Sequence, residues 1–200
     1  MKPEMITLKH GDASIKMPAS SLAKLAMASV FAQVLPPAAN VQTVATPAVP
    51  AIGTYWPGHG GINGGFVAAR GDVPAHYLII ARDDVGSHEW GNRGKESGAT
   101  SKTDGHANTI TLLTDEGHPA AEAADGYAAD GHEDFYLPAA AELYQGWLNC
   151  PEVFAQDCYY WSSSQRSAGN AFYMYFDDGL QSFLGKYDEL RVRPVRRFFI

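Results

Sequence analysis

The chain has 200 residues, enough for one good-sized domain and an appendage, in a soluble, globular composition generous in glycine (20) and aromatics (12%). Its formal net charge of -7 argues against nucleic acid as a general partner, because phosphate binding needs clustered cations. No run reaches the roughly 18 apolar residues that span a bilayer, and two cysteines do not make a disulfide scaffold.

In chain order, residues 1–35 read as a small attachment module. Met5 to Met17 predicts two short strands around a turn at His10-Gly11-Asp12, with Ile6 and Leu8, then Ala13, Ile15 and Met17, alternating. Pro18-Ala19-Ser20-Ser21 predicts a helix start capped by Ser20 or Ser21. Leu22, Leu25, Met27, Val30, Phe31 and Val34 follow as an apolar helical face poor in charge, which needs a partner surface. Leu22 to Leu35 imitates the core of a signal peptide, but it starts late, contains Lys24 and lacks a strongly basic start, so a buried or amphipathic helix is the expectation. Residues 36–50 hold four prolines and no charge and predict a semi-extended linker.

Residues 51–200 are expected to form the main domain. Gly58 to Gly65 predicts a tight turn and hairpin; it lacks the lysine ending of a P-loop and the third glycine of a dinucleotide fingerprint. Tyr77-Leu78-Ile79-Ile80-Ala81 predicts a buried strand. Asp104 to Leu113 leads into a helix, and helices are expected at Ala120–Ala129 and Pro138–Leu148. Short strands then follow at Tyr159–Ser163, Ala171–Phe176, Gln181–Gly185 and Arg191–Phe198. Asp177-Asp178-Gly179 is the hairpin turn between the second and third of these. The fold class is α+β, with two helices in the middle and an antiparallel meander at the end.

Charge is uneven. No lysine or arginine occurs from Thr103 to Gln165, whereas Arg191, Arg193, Arg196 and Arg197 crowd the C-terminus. On a strand the four split between two faces, so they make no single basic stripe and are better suited to pair with the acidic middle of the domain.

Several blocks carry a family resemblance. They are Gly53-Thr54-Tyr55-Trp56-Pro57-Gly58, Glu89-Trp90-Gly91 with Gly98-Ala99-Thr100-Ser101, Thr103-Asp104-Gly105 with Asn108-Thr109, and Tyr136-Leu137-Pro138 with Glu142-Leu143. Tyr160-Trp161-Ser162-Ser163-Ser164, Phe176-Asp177-Asp178-Gly179 and Glu189 to Arg197 complete the set. Together they resemble the Lcl C-terminal (DUF1566) family, of C-type-lectin-like fold, the group that also contains the formylglycine-generating enzyme. The resemblance covers residues 51–200. It implies ligand or receptor binding by a phage tail or bacterial surface protein, in some members a variable protein of a diversity-generating retroelement. A surface just before the arginine-rich last strand would then contact a protein or glycan receptor on a cell. The residues interrupting the scaffold blocks are Gln165, Arg166, Asn170, Phe172, Met174, Leu180, Ser182, Phe183, Leu184, Tyr187 and Asp188, and these are the expected ligand-binding set.

The residues argue for such a face on their own. Ala171 to Phe176 is almost wholly aromatic or methionine, and period 2 separates Phe172, Met174 and Phe176 from Tyr173 and Tyr175, one set for the core and one for the surface. Phe183 and Leu184 are adjacent, so a strand turns at least one of them outward. Exposed aromatics are liabilities unless they bind something.

Enzyme readings are weaker. The formylglycine-generating relatives use two copper-binding cysteines near the end of the fold, and Cys150 and Cys158 precede the final meander instead. A bridge between these two, eight residues apart, stays open. The histidine-rich iron motif of the related sulfoxide synthases is missing. No short histidine ligand cluster occurs, and neither do the Glu-Pro-Asn or Trp-Asn-Asp runs of calcium-dependent lectins. The expectation is a non-enzyme with no cofactor and no metal, no nucleic acid partner and no membrane insertion. It would attach to a larger particle or self-associate through residues 20–35, as a homo-oligomer on a virion or bacterial cell surface. The alternatives are a structural virion protein without a dedicated ligand and, more remotely, an oxidase.

Overall fold

The computed structural model describes residues 4–11, 13–24, 26 and 49–200. The chain divides into two units, Met1–Ala48 and Val49–Ile200.

In the first unit β1 (Met5–His10) and β2 (Ala13–Pro18) form an antiparallel hairpin in which Leu8 faces Ile15 and Ile6 faces Met17. Residues 19–24 are helical, so the helix begins ahead of the expected serine cap. Leu8 and Ile15 are exposed. The apolar face expected to run on to Val34, and all of the 36–50 linker but residues 49 and 50, lie outside the described residues.

The second unit is α+β. One antiparallel sheet has the order β11 (Val195–Phe199), β5 (His76–Ala81), β4 (Gly61–Val67), β3 (Tyr55–Trp56). The other has the order β6 (Ser87–Glu89), β10 (Glu189–Arg191), β7 (Tyr159–Ser167), β8 (Asn170–Tyr175), β9 (Gln181–Gly185), antiparallel except where β10 meets β7. The hydrophobic run Leu78–Ala81 is wholly buried, as its pattern predicts. The glycine-dense segment forms the expected turn and hairpin, with β3 and β4 antiparallel. Its turn ends at Gly60, and Gly61–Gly65 belongs to β4, bulged between Asn63 and Phe66, with the Asn63 Oδ1 accepting the Gly65 N–H at 2.9 Å.

Three α-helices, one more than expected, stand in the second unit: α1 (Gly105–Asp115), α2 (Pro119–Asp125) and α3 (Ala140–Asn149). Asp104 caps α1 by accepting from the Ala107 N–H, so the segment is a full helix. Helix α2 is shorter than expected because it stops at Gly126. Glu142, in the first turn of α3, folds back to accept the Ala139 N–H at 2.8 Å.

Two apolar clusters fill the interior. Trp90, Trp161, Leu112, Leu137 and the alanines of α2 form one; Leu78, Ile80, Leu143, Phe154, Tyr160 and Phe176 form the other. The closing segment serves both sheets. It is not a single strand from Arg191 to Phe198: Arg191 ends β10 in one sheet, and the chain crosses through Val192-Arg193-Pro194 to enter the other as β11. Pro194 has no N–H for a ladder bond, which suits a crossing point.

Candidate ligand-contact surface

The frame comes first. Trp161 is buried and donates its indole N–H to the His88 carbonyl, and Trp90 donates to the Ser162 carbonyl, both at 2.9 Å. The three serines that follow are buried with every hydroxyl engaged. Ser162 donates to the Phe172 carbonyl, Ser164 donates to the Ser101 carbonyl, and Ser163 accepts from Asn108. None is a poised nucleophile.

The four C-terminal arginines are committed to carboxylates. Arg191 reaches Asp84 at 3.0 Å, and Arg193 Nε lies 3.1 Å from the same carboxylate without hydrogen-bond alignment. Arg196 makes two bonds to Asp134, and Arg197 reaches both Asp104 and the buried Glu142 at 2.9 Å. Burial opposes the charge of Arg197, yet Tyr136, Glu142 and Asp104 outweigh it and push the guanidinium pKa up. Asp104 and Asp134 are held below the usual carboxylate range: burial opposes this, but the Ala107 N–H and Arg197 at one, and Arg196 at the other, prevail. The basic end is therefore scaffold: Arg196 and Arg197 pair with the acidic middle as expected, whereas Arg191 and Arg193 turn to Asp84, which precedes it. Cys150 and Cys158 are free thiols; burial pushes Cys150 up to about 11 and raises Cys158 as well.

Against this frame the expected ligand set divides. Two members are corrected. Gln165 is 6% exposed; its Oε1 accepts from Ser97 N–H and from the Lys186 ammonium at 2.7 Å, and its amide donates to Glu96. Met174 is fully buried beside Tyr160 and Phe176. Both are inside because their side chains fill space that the sheet and its neighbours enclose. Leu184 is half-buried against the Trp90 and Trp161 cluster, and Ser182 pairs with Tyr173 on that same inner side. Asn170 and Asp188 are half-buried at turns.

Arg166, Phe172, Phe183 and Tyr187 come together. Phe172 and Phe183 are direct cross-strand partners, and cross-strand partners share a face. Arg166 stands over the Phe183 ring at 5.5 Å. A Cβ on Gly185, two residues beyond Phe183, would lie 2.6 Å from the Tyr187 ring, which places that ring on the same side and explains the glycine. Phe183 and Tyr187 are 47% and 52% exposed, and Leu180, at the turn preceding β9, is 48% exposed.

Two members of this surface carried no signal in the sequence. Lys102 lies over Phe172 at 4.9 Å and Arg93 over Tyr187 at 4.3 Å, both from loops distant along the chain. The result is a strip of cations and rings: Arg93, Tyr187, Phe183, Arg166, Phe172, Lys102. Among the described residues none of the three cations is paired with a carboxylate. Each cation–ring contact is worth about 0.5–1 kcal/mol at an exposed site.

The turn that aligns the two strands is Phe176–Gly179. Leu180 N–H donates to Asp178 at 2.9 Å, and Gly179 has φ +77, backbone space that the Asp-Gly pair supplies. Lys186, at the far end of β9, is fully buried with its ammonium 4.5 Å from the Trp90 ring; burial pulls its pKa down. It pins the base of the Tyr187 turn by donating to the Lys95 carbonyl and to Gln165.

No protein-family model matches this chain, and no curated protein sequence matches it significantly.

Proposed function

We propose that residues 51–200 form a C-type-lectin-like domain of the Lcl C-terminal (DUF1566) type that binds a protein or glycan receptor, without catalysis, through the Arg93–Lys102 strip. The carrying observation is that Phe183 on a well-paired strand and Tyr187 in the turn after it stand exposed beside the half-buried Phe172, each ring under a cation with no carboxylate partner. Aromatic and arginine side chains are the residue types that dominate binding energy at interfaces. The fold reading is supported by the sharing of one sheet by the domain's first strands and its last, with helices between and the meander β7–β9 alongside.

The setting we propose is a phage tail or bacterial surface, with the exposed β9 hairpin diversified by a retroelement. Attachment to the particle, or self-association into a homo-oligomer, would use the 20–35 segment. Sequencing the gene across its natural population tests this. Adenine-directed substitutions should concentrate at Arg166, Phe172, Phe183, Tyr187 and Leu180, spare Gln165, Met174 and Lys186, and accompany a neighbouring reverse transcriptase and template repeat. An invariant strip, or variation spread into the buried positions, would sink the diversification reading. For a structural virion protein without a ligand, a Phe183→Ala/Tyr187→Ala chain that keeps its fold would also keep host attachment; the binding reading requires attachment to be lost.

A further inference from the structure

On the opposite side of the same sheet, at the start of β7, lies a cleft of about 350 Å³, more than twice the roughly 150 Å³ polar cavity beside His118. Its size falls in the range of small-ligand sites. It opens where β10 runs beside β7, and its lining includes Ser87, Asp157, Tyr159, Tyr175, Glu189 and Arg191.

Two properties of this lining act together. Tyr159 and Tyr175 are cross-strand partners whose rings stand 5.1 Å apart at 74°, two walls near a right angle, with Tyr173 packed behind Tyr159 at 4.7 Å. Ring faces carry the negative side of the quadrupole. The surrounding charge has the same sign. Asp157 and Glu189 are exposed in the lining, and Asp177 and Asp178 stand in the turn directly after Tyr175. Among the described residues none of these four carboxylates has a salt-bridge partner, and Arg191, the one cation of the lining, is turned to Asp84. The pKa of Tyr175 is raised by desolvation first, then by the charge of Asp177, with Asp178 and Asp157 adding to it.

We propose that this cleft binds the alkylated ammonium head of a choline-like ligand. Such a cation is attracted by ring faces and carboxylates at once, and its methyl groups pack against the rings. A neutral sugar would use the rings and leave Asp157 and Glu189, the two carboxylates of the lining, without a partner. An inorganic cation needs converging ligands, and no group of three histidine, cysteine or carboxylate residues converges among the described residues. The inference stands on the cleft alone and does not depend on the strip.

Calorimetric titration of the whole chain with choline, and with its neutral isostere 3,3-dimethylbutanol, tests it. Choline should bind saturably and the isostere at least about tenfold more weakly, the share owed to the positive charge. Tyr159→Leu should abolish choline binding, Asp157→Asn with Glu189→Gln should weaken it several-fold, and Arg166→Ala should leave it unchanged. Binding of soluble choline together with sedimentation on phosphatidylcholine vesicles would assign the head group to a membrane; binding without sedimentation would assign it to a soluble or glycan-linked source. Equal affinity for choline and the isostere, or no saturation at tens of millimolar choline, overturns the proposal in the wild-type chain without recourse to any variant.

Discussion

Arginine has two occupations in this domain. On the closing segment Arg196 and Arg197 are buried and each is bonded to a carboxylate, whereas Arg93 and Arg166 are exposed and rest on aromatic rings. The difference teaches where the fold is rigid by necessity. A buried guanidinium without its carboxylate leaves an uncompensated charge, so that end of the chain tolerates little. A cation on an exposed ring can leave at small cost, so that face can change while the scaffold persists.

Substitution should separate the two kinds sharply. Arg197→Ala, which strands Glu142 and Asp104, is expected to lower stability by about 3–5 kcal/mol, and Arg166→Ala by no more than about 1 kcal/mol; urea unfolding of the two variants measures both. A similar cost from each would break the comparison. Within β8 and β9 the same contrast holds between two residues on one face. Met174→Ala should cost about 2–5 kcal/mol, and Phe183→Ala about 1 kcal/mol or less.

A pH effect sharpens the picture of the frame. Burial pulls His118 and His76 below the ordinary histidine value of 6.5, with Lys186 adding at His118 and Arg197 at His76, although a carbonyl bond at each ring opposes this. Their folded state favours the neutral ring, so the unfolded chain takes up the proton first. Their contribution is complete above about pH 6.5 and is lost as pH falls through the lowered folded values. Denaturant midpoints should therefore fall between pH 7 and pH 5, and His118→Gln should make that decline shallower. A decline unchanged by the substitution would remove His118 from the account. The smallest effect belongs to Arg93→Ala, expected to change the midpoint by an amount equivalent to about 0.5–1 kcal/mol.

Some of this was legible in the residues. The Asp-Gly turn set the limits of β9, and the run Tyr77–Ala81 announced a buried strand, since both depend on local chemistry alone. Strand parity put Phe172 and Met174 on one side, and they share it. Parity does not say what covers that side. The start of α3 closes over the Met174–Gln181 pair, with Gln181 donating to the Ala140 carbonyl at 2.6 Å. The Phe172–Phe183 pair lies one step farther on, where Phe172 is half-buried and Phe183 exposed. Gln165 joined the expected ligand set because it interrupts the scaffold blocks; its burial depends on Lys186 and on Ser97 and Glu96, partners from a distant loop. Lys102 and Arg93 join the strip by tertiary approach, which no local pattern reports. The crossing at Pro194 divided what looked like one strand, because consecutive arginines gave no sign that the chain changes sheets.

The central claim is that the strip is a display surface carried by a frame that does not depend on it. Randomising the codons for Arg166, Phe172, Phe183 and Tyr187 in one library, and those for Gln165, Met174, Lys186 and Arg197 in another, with protease resistance as the readout of folding, tests it most directly. The account predicts that most members of the first library fold and few of the second do. Equal loss of folded members from both libraries would contradict it.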